Sequence, residues 1–306
     1  MERRSFMKFY IVDAFTDTLF GGNPAGIVIL EKDADFPDEE VMRKTAAELR
    51  YSETAFIKQT GKKEFNIRYF TPAAEVDLCG HATIGAFYAL ADAGLADFQS
   101  SYINHTLAGS LSIDMSKGLV LMDMAVPQYI GEIADQDKKA ELYRIMGISD
   151  ENQGILRNSE KAGTVLIPEM ISTGLPDIIL PVRDEEQLAA IHPDFPALAA
   201  LSKKYEVVGV HAFTPNSKDG AFHCRNFAPL YDIDEEAATG TSNGALTYYL
   251  YRHGLLKSGS ENLFIQGEAM NRPSKIQSRL SDAGGEVSVQ VGGSAAILAK
   301  GEINLS

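Results

Sequence analysis

Arg68 to Leu90 reads RYFTPAAEVDLCGHATIGAFYAL, and a degraded copy of it returns from Arg225 to Leu250 as RNFAPLYDIDEEAATGTSNGALTYYL. Arg68, Phe70 and Pro72 recur as Arg225, Phe227 and Pro229 at one constant spacing. Cys79-Gly80-His81 recurs as Thr239-Gly240-Thr241, three residues later than that spacing requires. Each copy reads as a strand with an aromatic end, a Pro turn, an acidic connector, a Gly flanked by small polar residues, and an apolar helix. Small residues ahead of a helix leave the first-turn N–H groups uncovered, and the macrodipole adds roughly +0.5 charge there. Such an end attracts carboxylate or phosphate. One such Gly can be merely a cap. Two suggest a pair of halves, each offering a helix N-terminus to one anionic substrate held between them.

At 306 residues the chain is long enough to bury about three quarters of its unfolded surface in one to three domains. Lys plus Arg number 28 against 42 for Asp plus Glu, a net charge of −14. With no compensating basic run, that balance argues against nucleic acid or an anionic membrane as partner. A bound carboxylate must therefore be held by local dipoles. The two cysteines, Cys79 and Cys224, are far apart and in no metal-ligand spacing. Met1 to Phe6, with Arg3 and Arg4, read as a short polar lead-in rather than a targeting signal, and no apolar run reaches about 18 residues, so a cytoplasmic protein is expected.

Outward from the repeat, Phe9 to Phe15 and Ala25 to Leu30 read as strands, with turn chemistry at Phe20-Gly21-Gly22-Asn23-Pro24 between them. Asn23 is either a turn former or a side chain aimed into a site. Pro37 to Glu40 open a helix that ends near Arg50 and presents Met42, Ala46 and Leu49 on one face. Ser52-Glu53-Thr54 follow at the start of a strand. Leu111 to Met115 and Leu119 to Met124 predict a hairpin around Lys117-Gly118. Pro127 marks the expected change from a first lobe (1–127 plus about 295–306) to a second (128–294). In that second part, helices are predicted at Lys138 to Met146, Glu185 to Ile191 and Pro196 to Tyr205. Strands are predicted within Val165 to Val182, at Val207 to Phe213 and at Leu263 to Gln266, then at Glu286 to Val291 and Ala295 to Leu298 with Gly292-Gly293 between them. Strands outnumber helices, and most neighbours read as antiparallel, an α+β class.

These pieces resemble the phenazine-biosynthesis-like proteins, which share the diaminopimelate epimerase fold. The matching motifs are Val12-Asp13-Ala14-Phe15, Gly22-Asn23-Pro24-Ala25, Ser52-Glu53-Thr54, Phe70-Thr71-Pro72 with Glu75, and Cys79-Gly80-His81-Ala82-Thr83. Ser172-Thr173-Gly174-Leu175-Pro176, Arg225 with Phe227-Ala228-Pro229, Ala238-Thr239-Gly240, Gln266-Gly267, Arg272-Pro273-Ser274 and Gly293-Ser294-Ala295 complete the set in order. The resemblance implies two pseudo-symmetric lobes, each a curved, mostly antiparallel sheet around a central helix, with the site in the cleft. It implies a cofactor-free isomerase that moves a proton on a small carboxylate-bearing substrate, and a homodimer. Glu53 is then the acid/base, with His81 beside it as a supporting proton carrier. Gly80, Gly240 and Thr241 present donors to the substrate carboxylate, and Asn23 and Ser52 line the site. Glu236 stands where the family usually has Asp, one methylene longer, beside Ala237 for the usual Pro and Thr241 for the usual Ser.

Isomerisation by proton transfer needs one group that takes a proton from carbon and returns it elsewhere. Burial of Glu53 ahead of Phe56 and Ile57 is a way to make a carboxylate basic enough. Racemases and epimerases on this fold instead use two cysteines, one at each helix start. Cys79 occupies the first such position, but the second is Thr239, which excludes a two-thiol enzyme and leaves a single-thiol role for Cys79 open. A protein retained for binding or interaction alone is the remaining alternative. No metal is expected: Cys79 and His81 are two apart, Glu75 and Asp77 only alternate with them, and no zinc spacing results. His105, His192, His211, His223 and His253 are scattered and read as structural or surface residues, and Cys224 as core. No phosphate-cradling Gly-rich motif is present.

Overall fold

The structure, a computed structural model, describes residues 6–149, 153–157 and 161–305. The lead-in predicted over Met1 to Phe6 lies outside these except for Phe6, which already opens the first strand. The chain forms two compact units, Met1–Asp123 with Gly292–Ser306, and Met124–Val291.

In the first unit β1 (Phe6–Ala14) and β2 (Asn23–Ile29) pair antiparallel. The helix α1 (Glu39–Leu49) then carries the chain to β3 (Thr54–Gly61), parallel to β2. A parallel pair needs such a crossover. Asp38 precedes α1, Glu39 and Glu40 sit in its positive first turn, and Arg50 ends it in the left-handed conformation at φ 60°. β4 (Glu64–Phe70) returns antiparallel to β3, and the short β5 (Glu75–Val76) folds back on its aromatic end. The helix α2 (Gly80–Asp92) crosses to β6 (Gln99–Thr106), which is parallel to β4, and β7 (Gly109–Ser116) and β8 (Leu119–Asp123) follow as antiparallel neighbours. Lys117 and Gly118, at φ 52° and 76°, form the tight turn between the last two.

α2 is the core of this unit. Its Ala82, Ile84, Ala86, Phe87, Ala89 and Leu90 are all buried, the mark of a helix surrounded by sheet rather than lying on it. Phe87 packs between Phe65 and Tyr102, ring centroids 5.7 and 5.8 Å away.

The second unit begins with β9 (Gln128–Glu132), α3 (Gln136–Ile145), β10 (Glu169–Ser172) and β11 (Pro176–Pro181). Two helices, α4 (Glu185–Ala190) and α5 (Phe195–Tyr205), lead to β12 (Gly209–Thr214). Asp184 and Asp194 cap them with side-chain bonds to the amides of Gln187 and Ala197. β13 (Phe222–Ala228), β14 (Ile233–Glu236), α6 (Gly240–Arg252), β15 (Glu261–Gln266), β16 (Ser274–Ala283) and β17 (Glu286–Gly293) follow. The final strand, β18 (Ala295–Asn304), pairs with β1 of the first unit's sheet.

The pairings repeat. β10–β11 are antiparallel, β11–β12 parallel, β12–β13 antiparallel, β13–β15 parallel and β15–β16 antiparallel. In the first unit β1–β2, β2–β3, β3–β4, β4–β6 and β6–β7 run in the same senses. The fold is α+β, with each unit built from one copy of the repeated stretch. Two local expectations fail. Asn23 and Pro24 are not turn residues but the first residues of β2, facing Ala14 and Asp13 across the ladder. Gly292 and Gly293 do not separate strands either, since both continue β17. Gly292 is needed there because a Cβ would lie 1.8 Å from the Val120 carbonyl oxygen.

Candidate active site

Three stretches of the first unit bring polar side chains to one place. Asn23 opens β2, Ser52 and Glu53 lie in the bend before β3, Cys79 is the residue before α2, and His81 is in its first turn. His81 is 5% exposed and Asn23 6%. The Asn23 side-chain amide lies 3.3 Å from His81 Nδ1, and Ser52 Oγ lies 3.3 Å from His81 Nε2. Cys79 Sγ is 3.4 Å from Nδ1 and 3.8 Å from Nε2. Glu53 Oε2 approaches Nε2 to 3.3 Å. That approach lacks hydrogen-bond alignment: Glu53 Oε2 is buried with no hydrogen-bond partner among the described residues.

An amide NH₂ on Nδ1 makes that nitrogen the acceptor, so the ring proton of the neutral form sits on Nε2, toward Ser52 and Glu53. Burial keeps the ring neutral: desolvation lowers the His81 pKa below 6.5, and the Glu53 charge offsets this only in part. The site therefore holds a carboxylate oxygen without a hydrogen bond, a neutral imidazole beside it and a thiol near the imidazole. Gly80 supplies the start of α2, whose cap residue Cys79 makes no side-chain capping bond. Its first-turn amides have no intrahelical acceptor.

Over residues 12–301 the chain matches the family model described as phenazine biosynthesis-like protein. It belongs to the phenazine biosynthesis-like family. Among its relatives, an uncharacterized isomerase of Clostridium acetobutylicum is 33% identical over 98% of both chains. The trans-2,3-dihydro-3-hydroxyanthranilate isomerase of Pseudomonas chlororaphis is 29% identical over 97% of this chain and 99% of its own. The crystal structure of the PhzF-family phenazine biosynthesis protein of Bacillus anthracis superposes with a TM-score of 0.83 at 26% identity, covering 97% of this chain and 99% of that one. This phenazine biosynthesis-like protein is accordingly an isomerase.

The remaining candidate residues of this family member lie in its second unit. Glu236 ends β14, and its Oε2 accepts from Thr239 Oγ at 2.9 Å. Gln266, in β15, donates its amide to the Glu236 carbonyl at 2.8 Å and to Thr239 Oγ at 3.1 Å, so the approach to α6 is tied down from both sides. Gly240 and Thr241 are the first two residues of α6. The Thr241 carbonyl accepts from Thr173 Oγ at 2.9 Å. Gln266 carries no charge and lies 27 residues beyond Thr239, outside the repeat, so only the Gln266-Gly267 motif of the resemblance marked it.

Among the described residues two three-residue groups could hold a cation: Glu53, Cys79 and His81, and Glu185, Asp219 and His223, the ligand atoms of each set lying within 4.8 Å of one another. Sequence spacing missed both, because one member of each comes from a distant element. Of the scattered histidines, His211 is fully buried with its pKa pushed down to about 3 by desolvation, a core residue bonded to the Asn226 amide at 3.3 Å. Cys224 is buried in β13, where desolvation raises its pKa. None of the helices among the described residues is long and apolar enough to cross a membrane.

Proposed function

We propose that the protein is a cofactor-independent isomerase that moves a proton between carbons of a small carboxylate-bearing substrate, with Glu53 as the acid/base. The observation that carries this reading is the buried Glu53 oxygen, free of hydrogen bonds and 3.3 Å from a neutral histidine. A carboxylate fully satisfied by donors would be a weak base. One left bare has its lone pair available for a proton from carbon. The electron pair of the broken C–H bond moves into the substrate's unsaturated system, and protonated Glu53 returns the proton at another carbon. His81 keeps its Nε2–H 3.3 Å from that oxygen without hydrogen-bonding it, close enough to relay a proton once Glu53 is protonated.

The substrate carboxylate belongs at helix starts. Gly80 offers first-turn amides in the first unit, and Gly240 with Thr241 are their counterparts in the second. Asn23 and Ser52 fix the histidine ring. Glu236, held by Thr239, is the second unit's proton-carrying acid. Its added methylene relative to the usual Asp moves the carboxyl by about a bond length, a shift on the scale that changes rates by about 10²-fold. The reading includes a cytoplasmic homodimer, which light scattering tests.

The test is hydrogen exchange in deuterium oxide with small unsaturated carboxylates, including the dihydro-hydroxyanthranilate named for the Pseudomonas relative. Wild type incorporates deuterium, and Glu53→Gln reduces the rate by about 10²- to 10⁴-fold. A second reading, in which Cys79 is the base, is favoured by its 3.4 Å approach to His81 Nδ1. Uptake lost in Cys79→Ala and kept in Glu53→Gln would decide for the thiol. Absence of uptake with every carboxylate would leave a binding protein.

A further inference from the structure

We propose that Glu53, Cys79 and His81 form a binding site for Zn²⁺, and that zinc bound there reversibly blocks the isomerase. The binding stands on geometry alone; the block rests on the reading of Glu53 as acid/base. The three donors are a thiol sulfur, an imidazole nitrogen and a carboxylate oxygen, the types zinc takes in three-ligand sites with an open fourth position. They converge from the bend before β3 and the start of α2, with Cys79 and His81 buried. Zn–S of about 2.3 Å and Zn–N and Zn–O of about 2.0–2.2 Å make tetrahedral edges of about 3.6 Å for S···N and about 3.4 Å for N···O. The corresponding separations are 3.8 Å from Cys79 Sγ to His81 Nε2 and 3.3 Å from Nε2 to Glu53 Oε2. Small side-chain rotations close the difference.

The second observation is the Glu53 oxygen itself, buried without a hydrogen bond and aimed at the imidazole. A cation is one partner that would satisfy it. On binding, Cys79 loses its thiol proton to solvent. The imidazole proton moves from Nε2 to Nδ1, and the Asn23 amide turns so that its oxygen accepts it, an outer contact that orients a ligating histidine. Thiolate and imidazole select zinc over magnesium or calcium. Bound zinc takes the Glu53 lone pair that proton transfer needs.

The internal competitor is the cluster of Glu185, Asp219 and His223, more exposed, with His223 Nδ1 already 2.7 Å from Glu268. Full-length protein freed of metal by chelator is titrated with zinc sulfate against a chromogenic chelator, with thermal unfolding as the check that each variant folds. One zinc per chain is expected in wild type and in His223→Ala, with affinity lowered by about 100-fold or more in Cys79→Ser and His81→Asn. Cobalt(II) added to wild type should give a sulfur-to-metal charge-transfer band. Its absence overturns the proposal even if the variants do not fold, as does zinc binding lost in His223→Ala and kept in Cys79→Ser. One equivalent of zinc should abolish deuterium exchange, and EDTA should restore it. Exchange that persists with zinc bound overturns the block. Exchange absent from the metal-free enzyme, with zinc binding intact, overturns the isomerase reading and leaves the metal site standing.

Discussion

Glu53 and Gly209 occupy the same register position in the two units. Phe56 faces Arg68 across β3 and β4, and Ala212 faces Arg225 across β12 and β13. Arg68 and Arg225 are equivalent in the repeat, so counting back three residues from each partner arrives at Glu53 in one unit and Gly209 in the other. The two helix starts make His81 equivalent to Thr241, and the parallel registers of Val28 with Phe56 and Leu180 with Ala212 make Asn23 equivalent to Leu175. The duplicated frame thus carries its proposed base in the first unit only, and the second unit could not accept one: a Cβ on Gly209 would lie 1.9 Å from the Phe227 carbonyl oxygen.

Gly209→Ala therefore tests the asymmetry directly. The contact is with backbone, which yields only if β12 and β13 separate. Overpacking of this kind costs about 1–3 kcal/mol, and an approach this close belongs at the upper end. Urea unfolding should show the loss in midpoint with little change in slope. A variant as stable as wild type would show that the strands part freely.

Arg225 should matter more to stability than its repeat partner Arg68. Both make bidentate bonds to an acid, Arg225 to Glu235 at 2.8 Å through two nitrogens and Arg68 to Glu75 at 2.7 and 2.6 Å. Arg225 also donates to the carbonyls of Leu188, Ala189 and Ile191, which closes the end of α4. Its side chain is 11% exposed against 25% for Arg68. Arg225→Ala leaves a half-buried acid and three carbonyls without their donor, a loss of about 3 kcal/mol, and Arg68→Ala about half that. Equal midpoints in urea would refute the ranking.

The repeat itself was legible, because the Pro turn and the Gly before each helix depend on local backbone chemistry that one stretch of chain expresses. α1 was legible for the same reason: Asp38, Glu39 and Glu40 mark its start and Met42 and Ala46 its buried face. β6 was not, because Gln99 to Thr106 alternates small polar residues with Tyr102 and Ile103 and becomes a strand only by pairing with β7 along its length and with β4 at its end. Asn23 was misplaced because Gly-Gly-Asn-Pro is turn chemistry in isolation, whereas pairing with Ala14 draws it into β2. Glu53 beside Cys79 and His81 is a tertiary fact with no signature in spacing. Most of the second unit's polar core is hidden for the same reason, since Asp177, Asn226 and Ser242 look like ordinary turn and helix-start residues.

Asp177 supplies a pH test of that hidden core. It is buried, its carboxylate accepting from the Gly209 amide at 3.1 Å and from Ser242 Oγ at 2.5 Å, and desolvation raises its pKa from 3.8 to about 6. A raised carboxyl stabilises the fold below the unfolded value and loses that contribution as pH climbs through the folded value. His211 acts in the opposite sense. Lowered to about 3 from 6.5, it costs stability as pH falls below 6.5. The two slopes oppose one another between about pH 4 and 6 in wild type. Asp177→Asn removes only the carboxyl's slope, so its stability relative to wild type should rise by about 2 kcal/mol from pH 4 to pH 7. Urea curves at each pH measure this, and a flat difference would mean that Asp177 titrates normally.

Asn23 should set the tautomer of His81. Its amide faces Nδ1 at 3.3 Å, which places the ring proton on Nε2 beside Ser52 and Glu53. Asn23→Asp replaces a donor with an acceptor, so Nδ1 must carry a proton. Either the neutral ring turns its bare Nε2 toward the Glu53 carboxylate, or the ring becomes a cation between two acids. In the first case Glu53 faces a lone pair, and in the second it is neutralised by charge pairing and becomes a poorer base. Nitrogen-15 spectra of the histidine rings should change from an Nε2-protonated to an Nδ1-protonated or doubly protonated pattern, and exchange should fall by about 10²-fold. Asn23→Ala, which removes the bond without reversing it, should cost about tenfold. An unchanged nitrogen spectrum in Asn23→Asp would mean that Ser52 and Glu53 fix the ring without help from β2.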